Sequence, residues 1–159
     1  MQIQLIAVGK LKEKYLQQAV EEYKKRLTAY CRLETIEVAD EATIEEASPA
    51  QEQQIKAKEA ARLAKALSDD VFCVALAIEG KNFSSEGLAR VIEEKGLQGQ
   101  SKISFLIGGS MGLAPYLLAR ADLLLSLSTL TFPHQMARLI LLEQVYRCFK
   151  IIRREPYHK

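Results

Sequence analysis

The stretch Ile103-Ser104-Phe105-Leu106-Ile107-Gly108-Gly109-Ser110-Met111-Gly112-Leu113 decides the fold. Five largely apolar residues break at once into three glycines within five positions. A short apolar run bounded by turn residues suits a strand covered on both faces, as in a parallel sheet. Two further runs read the same way. Gln2 to Val8 (QIQLIAV) ends at Gly9, and Val71 to Ile78 (VFCVALAI) lies between Ser68-Asp69-Asp70 and Gly80. Cys31 to Val38 alternates, and Asp122 to Leu127 closes the set. Helical patterns fill the intervals. Leu16, Ala19, Val20, Tyr23 and Leu27 share one face, and Pro49 to Leu67 is rich in Ala, Lys, Gln and Glu. Ser84 or Ser85 caps a helix to about Glu94 with Gly96 as the stop. Pro115 to Ala119 reads as a short helix and Gln135 to about Lys150 as a long one, with Ile151 to Lys159 as a tail. Strands alternating with helices predict an α/β fold with a mainly parallel sheet flanked by helices, one domain over residues 1–159. Ligands of such sheets bind at the carboxyl ends of strands, which selects the loops after Ile78, Ile107 and Leu127.

Composition narrows the class. With 48% hydrophobic and 26% charged residues among 159, the chain is neither disordered nor fibrous. No apolar run is long enough to span a bilayer. The start Met1-Gln2-Ile3-Gln4-Leu5 lacks the basic and apolar regions of a signal peptide, so a soluble, cytoplasmic protein is expected. Cys31, Cys73 and Cys148 are odd in number, far apart and set in apolar surroundings, which predicts buried thiols and no metal site. The net charge of +2 hides an uneven distribution. Residues 1–33 carry seven basic and three acidic groups, and 101–159 carry eight and three, whereas 34–59 carry two and eight. If the two ends meet in space, a polyanion can dock there. Charge alone favours the plainer reading of an ordinary solvated surface.

Four segments can carry chemistry. The glycine loop Gly108–Gly112 allows close backbone approach to a ligand. It holds no Lys or Arg and matches neither GxGxxG nor a Walker loop, so a ligand needing little phosphate neutralisation fits better than ATP. In Leu125–His134 small hydroxyls alternate with apolar groups. Leu127, Leu130 and Phe132 suit packing on an adenine ring while the backbone of Ser128, Thr129 and Thr131 serves its edge. His134, alone at a helix start, reads as a capping or packing residue. The helix after it is apolar around most of its circumference, which implies a second partner, and a homodimer is the simplest. Its polar exceptions Glu143, Arg147, Lys150 and Arg154 form one stripe if the helix continues, and Glu143 can pair with Arg147 at i, i+4. In the tail, arginines with Tyr157, His158 and Lys159 suit phosphate contact and base stacking, although chain termini usually fray.

Taken together, Gly108–Leu113 (GGSMGL), Leu125–Arg147 (LSLSTLTFPHQMARLILLEQVYR) and Pro156–Lys159 (PYHK) resemble the RlmH family. These are SPOUT-class methyltransferases that act on a pseudouridine of large-subunit (23S) ribosomal RNA. The resemblance covers essentially the whole chain. It implies S-adenosyl-L-methionine as donor, N3 of the pseudouridine as acceptor, a C-terminal trefoil knot, and a homodimer with its site at the interface. The RNA partner is expected within an assembled ribosome. Cofactor positions of the family map onto Leu76, Gly108 and Leu127 through Phe132, in the three loops selected above. Lys159 stands where some relatives carry Arg, and Lys lacks the bidentate fork for phosphate.

A sulfonium methyl is already activated, so neither metal nor covalent nucleophile is required. The protein must align donor carbon and nitrogen and help the N3 proton leave. The expected groups are His158 as base or orienter, Arg154 as clamp, Tyr157 as stacking or hydrogen-bonding group, and Glu143 with Arg147 as pocket-shaping residues. Two rivals stand beside this reading. One is a non-catalytic RNA-binding module on an α/β scaffold. The other is a flavodoxin-like nucleotide enzyme, which the lack of acidic metal ligands and of a phosphate-gripping Lys disfavours.

Overall fold

A computed structural model describes residues 1–159. The strands are β1 (Gln2–Val8), β2 (Arg32–Val38), β3 (Phe72–Asn82), β4 (Lys102–Ile107) and β5 (Leu123–Ser126). The helices are α1 (Lys14–Leu27), α2 (Pro49–Ala66), α3 (Ser85–Leu97), α4 (Pro115–Arg120) and α5 (His134–Ile152). The strands form one sheet in the order β2-β1-β4-β3-β5, and every pairing is parallel. The α/β architecture read from the alternation is therefore the observed one.

Period-two alternation builds a core on each face of the sheet. Ile3, Leu5 and Ala7 of β1, with Ile103, Phe105 and Ile107 of β4, point toward α1, α3 and α5. Ile6 and Val8, with Leu106, point toward α2 and α4. All three cysteines are buried and unpaired. Burial pushes the Cys148 thiol up to about 12, so it stays protonated and packs as a small apolar group. No helix is long and apolar enough to cross a membrane.

Local chemistry fixes the element ends. Ser48 accepts from the Gln51 amide while the Gln51 side chain accepts from the Ser48 amide, a reciprocal cap that starts α2 with Pro49 in its first turn. Ser84, the first of the two serines expected to cap, accepts from Gly87 N and starts α3. Asp122 lies just outside β5, because its amide bonds Cys73 O and its carboxylate accepts from Cys73 N.

Three expectations need correction. The run Val71–Ile78 is covered on both faces only at Cys73–Ala75, where β3 lies between β4 and β5. Beyond Ala75 the strand outruns β4, shifts register between Leu76 and Lys81, and continues to Asn82, leaving Ile78 69% exposed. The wide apolar surface of α5 is largely taken up inside the chain, by α1, α3 and β4, and so does not by itself demand a second subunit. Finally, α5 stops at Ile152. Arg154 turns into the left-handed region with φ of 54°, its amide bonding Ile151 O, so it leaves the stripe that carries Glu143 and Arg147.

Arg138 was not singled out from sequence, yet it is 3% exposed at the start of α5. Its guanidinium donates to Val8 O, Gly9 O and the Glu37 carboxylate, tying α5 to the carboxyl ends of β1 and β2. Apolar positions three and four apart identify a buried helix face, but nothing in periodicity reveals a buried cation that closes strand ends.

A candidate cofactor pocket and a C-terminal side-chain cluster

At the carboxyl ends of β3, β4 and β5 the three selected loops enclose a cavity of about 610 Å³. Leu76 to Ile78 form one wall, Ile107 to Ser110 with Gly112 another, and Leu125 to Ser128 with Leu130 to His134 the third. Of the expected cofactor residues, Leu76, Gly108, Leu127, Ser128, Leu130, Thr131 and Phe132 line the cavity, and Thr129 does not. The cavity also takes in Ile78, Gly109, His134 and Ala137. His134, expected to cap or pack at a helix start, makes no capping hydrogen bond and lines the pocket. Burial lowers its pKa first, with Arg138 adding to the effect, which favours the neutral imidazole.

The turn depends on its glycines. A Cβ on Gly108 would come 2.6 Å from the Gly112 carbonyl carbon, so only glycine permits this approach of backbone to backbone. Ser128 pins the opposite wall: its hydroxyl accepts from Leu130 N, and its carbonyl accepts from the Ser126 hydroxyl. No lining residue is Lys, Arg, Asp or Glu. Such a site presents apolar side chains and backbone polar groups. It suits an adenosyl group and offers nothing to neutralise a triphosphate.

The tail does not fray. Glu155 accepts from the Tyr30 hydroxyl and from Lys150, while Tyr157 donates to Glu143 Oε1 at 3.1 Å and lies 3.3 Å from the Tyr23 hydroxyl. Arg147 binds the same carboxylate and lies 4.7 Å from the Tyr157 ring centre. His158 meets Glu86 through Nε2 at 2.7 Å and Arg147 through Nδ1 at 3.3 Å. Arg147 only donates, so Nδ1 accepts and Nε2–H donates to Glu86. The contacts therefore select the neutral Nε2–H tautomer with both ring nitrogens occupied. Glu86 is held down to about 2, first by its own backbone N–H and then by His158 and Ser84. Tyr157 is pushed well above the usual phenol range by burial, Tyr23 and Glu143, so it acts as a hydrogen-bond donor and not as a base.

Four of the five expected catalytic residues, Glu143, Arg147, Tyr157 and His158, thus form one connected cluster. Arg154 takes no part in it. Tyr23 and Glu86 belong to the cluster and went unread, because they lie on α1 and α3, remote in sequence. The basic ends do meet, since α1 packs on α5 and Arg26 lies over the rings of Tyr23 and Tyr146. None of the cluster residues lines the cavity. Along α5, Ala137 in the cavity and Arg147 in the cluster are separated by ten residues, roughly 15 Å of helix rise.

The family described as "Predicted SPOUT methyltransferase" matches residues 1–158. The chain is 60% identical over 159 residues to Ribosomal RNA large subunit methyltransferase H of Bifidobacterium adolescentis, with both chains fully covered. It is 53% identical, again over the full length of both, to the proteins of that name from Carboxydothermus hydrogenoformans and Shouchella clausii. Among solved structures, a probable methylase family protein from Haemophilus influenzae Rd KW20 matches with a TM-score of 0.54 at 14% identity, covering 99% of this chain and 70% of that one, a likeness of fold alone. The chain therefore belongs to the SPOUT methyltransferases, and within them to the family of ribosomal RNA large subunit methyltransferase H.

Proposed function

We propose that this chain transfers a methyl group from S-adenosyl-L-methionine to N3 of a pseudouridine in large-subunit ribosomal RNA. The observation that carries the reading is the uncharged, backbone-built cavity at the ends of β3, β4 and β5 in a chain of this family. Leu127, Leu130 and Phe132 would pack on the adenine, and the turn at Gly108 would admit the ligand against the backbone. The donor supplies an activated methyl on sulfur, and no metal is called for. The trefoil knot implied by the family resemblance belongs to the same reading.

The remaining work falls to side chains. Glu143, neutralised by Arg147, fixes the Tyr157 hydroxyl, and Glu86 and Arg147 fix the His158 ring. With both nitrogens engaged, His158 offers its ring face for stacking on the acceptor base, and the N3 proton leaves to solvent water as the methyl is transferred. These groups lie outside the cavity of their own chain, so the reading needs a homodimer in which the tail of one subunit completes the cavity of the other. The exposed apolar residues Ile78, Leu130 and Met136 near the cavity supply surface for such a contact. Arg26 and Arg153 gather beside the tail and suit phosphate contact, so RNA affinity falls steeply with salt.

The test is mass spectrometry of ribosomal RNA from cells with and without the gene, followed by restoration with purified protein and donor. Loss and recovery of one methyl at one pseudouridine supports the reading. A protein that binds RNA but takes up no donor favours the non-catalytic module.

A further inference from the structure

Behind the glycine loop lies a carboxylate that the proposed reaction does not use. Glu59 of α2 is only 5% exposed. Its Oε1 accepts from Glu41 N at 3.0 Å, and its Oε2 is buried with no hydrogen-bond partner. Both oxygens press on the loop. A Cβ added to Gly109 would lie 3.0 Å from Oε2 and 3.3 Å from Oε1. Gly109 itself lines the cavity, so one residue's thickness separates this carboxyl from the cavity interior. No charged side chain lines that interior.

The surroundings do not neutralise Glu59. Arg62, the cation that acts on Glu59, is committed to Ala39 O and Glu41. Asp40 and Glu41 add negative charge, and burial raises the Glu59 pKa ahead of every other cause. An orphaned anionic oxygen in a poorly solvated place is costly unless something compensates it. Burial, Asp40 and Glu41 favour the protonated carboxyl while the cavity is empty, and a positive charge on a ligand in the cavity is what would favour the anion.

We propose that Glu59 is a specificity-determining residue that distinguishes the positively charged sulfonium donor from the uncharged thioether product by charge, through the Gly109 backbone. The proposal rests on the reading of the cavity as a donor site. Donor and product share the adenosine, amino and carboxylate groups and differ by one methyl and one positive charge at sulfur. Backbone contacts and apolar packing cannot separate them strongly, since one methyl in an apolar pocket is worth little. A nearby anion can: it favours the charged ligand before transfer and gives no added hold on the neutral one afterwards, which promotes product release. Glu59 touches neither reacting atom, so its effect belongs to the relative affinities of the two ligands.

The experiment is calorimetric titration of the full-length protein with S-adenosylmethionine and, separately, S-adenosylhomocysteine, at about pH 8, where the shared carboxyl group is ionised. In Glu59→Gln the donor is expected to bind roughly tenfold more weakly, the size of one charge pair about 12 Å apart at an effective dielectric near 20. Product affinity is expected to stay within about twofold, so the preference ratio collapses. Equal weakening of both ligands would show that Glu59 only shapes the loop and would overturn the proposal, as would no change in either. Wild-type protein that binds neither ligand would overturn the donor-site reading itself, and the proposal with it. If Glu59→Gln does not fold, the wild-type ratio is followed from about pH 8 to about pH 5.5. The groups facing Glu59 are Asp40, Glu41 and Arg62, and His134 lines the same cavity, so the profile is repeated in His134→Gln. A donor preference that fades with acidification in both proteins supports the proposal. A flat ratio in His134→Gln overturns it.

Discussion

The strand-end cavity and the C-terminal cluster are built from opposite materials. The cavity is walled by glycine turns, hydroxyls and aliphatic groups without one charged side chain. The cluster is a mesh of Tyr, Glu, Arg and His whose every polar end is spoken for. A cavity of the first kind binds by shape and backbone dipoles and holds its form because β3, β4 and β5 hold it. A cluster of the second kind fixes the direction of hydrogen bonds at the cost of ordering several long side chains. The division suits a reaction in which one ligand already carries the reactive group and the other must be stripped of a proton.

Breaking the cluster should separate the two halves of the function. Removal of Tyr157–Lys159 is expected to abolish methyl transfer, a loss of roughly a thousandfold or more, because the groups that orient the acceptor leave together. Calorimetry should show donor affinity within about threefold of wild type. Normal methylation by the truncated protein would make the tail a bystander.

The cavity is broken most directly at its supports. Arg138→Met deletes the buried cation that joins α5 to Val8, Gly9 and Glu37, and its loss should cost about 3 kcal/mol in urea unfolding, the usual range for breaking a buried charged network. Gly108→Ala places a methyl against Gly112 and should cost about 1–2 kcal/mol, with donor binding weakened more than tenfold. If Gly108→Ala binds donor normally, the turn is not the cradle.

These supports also mark the limit of what the sequence tells. The cavity was legible because a single rule, that loops at the carboxyl ends of parallel strands form sites, points at three segments that are each visible as an apolar run ending in small residues. Thr129 lies in the same loop but not in the cavity lining, a distinction that residue type does not reveal. Along β3, the apolar run hid a change of role, since Val74 is core and Ile78 is cavity wall, and only the shorter neighbour β4 makes the difference. The cluster was half legible. Glu143 and Arg147 follow from helical spacing and Tyr157 and His158 from their company. Glu86 and Tyr23, by contrast, arrive from other helices through tertiary packing, which no local pattern encodes. Arg154 leaves the stripe because the helix ends two residues before it.

Smaller substitutions sharpen the comparison within the cluster. Tyr157→Phe removes the bond to Glu143 and should slow methyl transfer about tenfold while leaving donor affinity unchanged, as steady-state kinetics would show. Glu86→Gln tests the His158 anchor through stability. The Glu86 carboxyl is lowered to about 2 from an ordinary 4.5, so its contribution is present above about pH 4.5 and disappears as pH falls toward 2. Thermal unfolding of wild type and Glu86→Gln should therefore differ slightly at neutral pH and converge in acid. A constant difference across that range would remove the charge from the explanation.

The most direct measurement is complementation between two inactive proteins, Gly108→Ala with an intact tail and the tail truncation with an intact cavity. If the tail of one subunit serves the cavity of its partner, co-expressed chains pair at random and regain about a quarter of wild-type methylation, since half the dimers hold one intact composite site. If cavity and tail act within the same chain, the mixture stays as inactive as either parent, and that result would contradict the account.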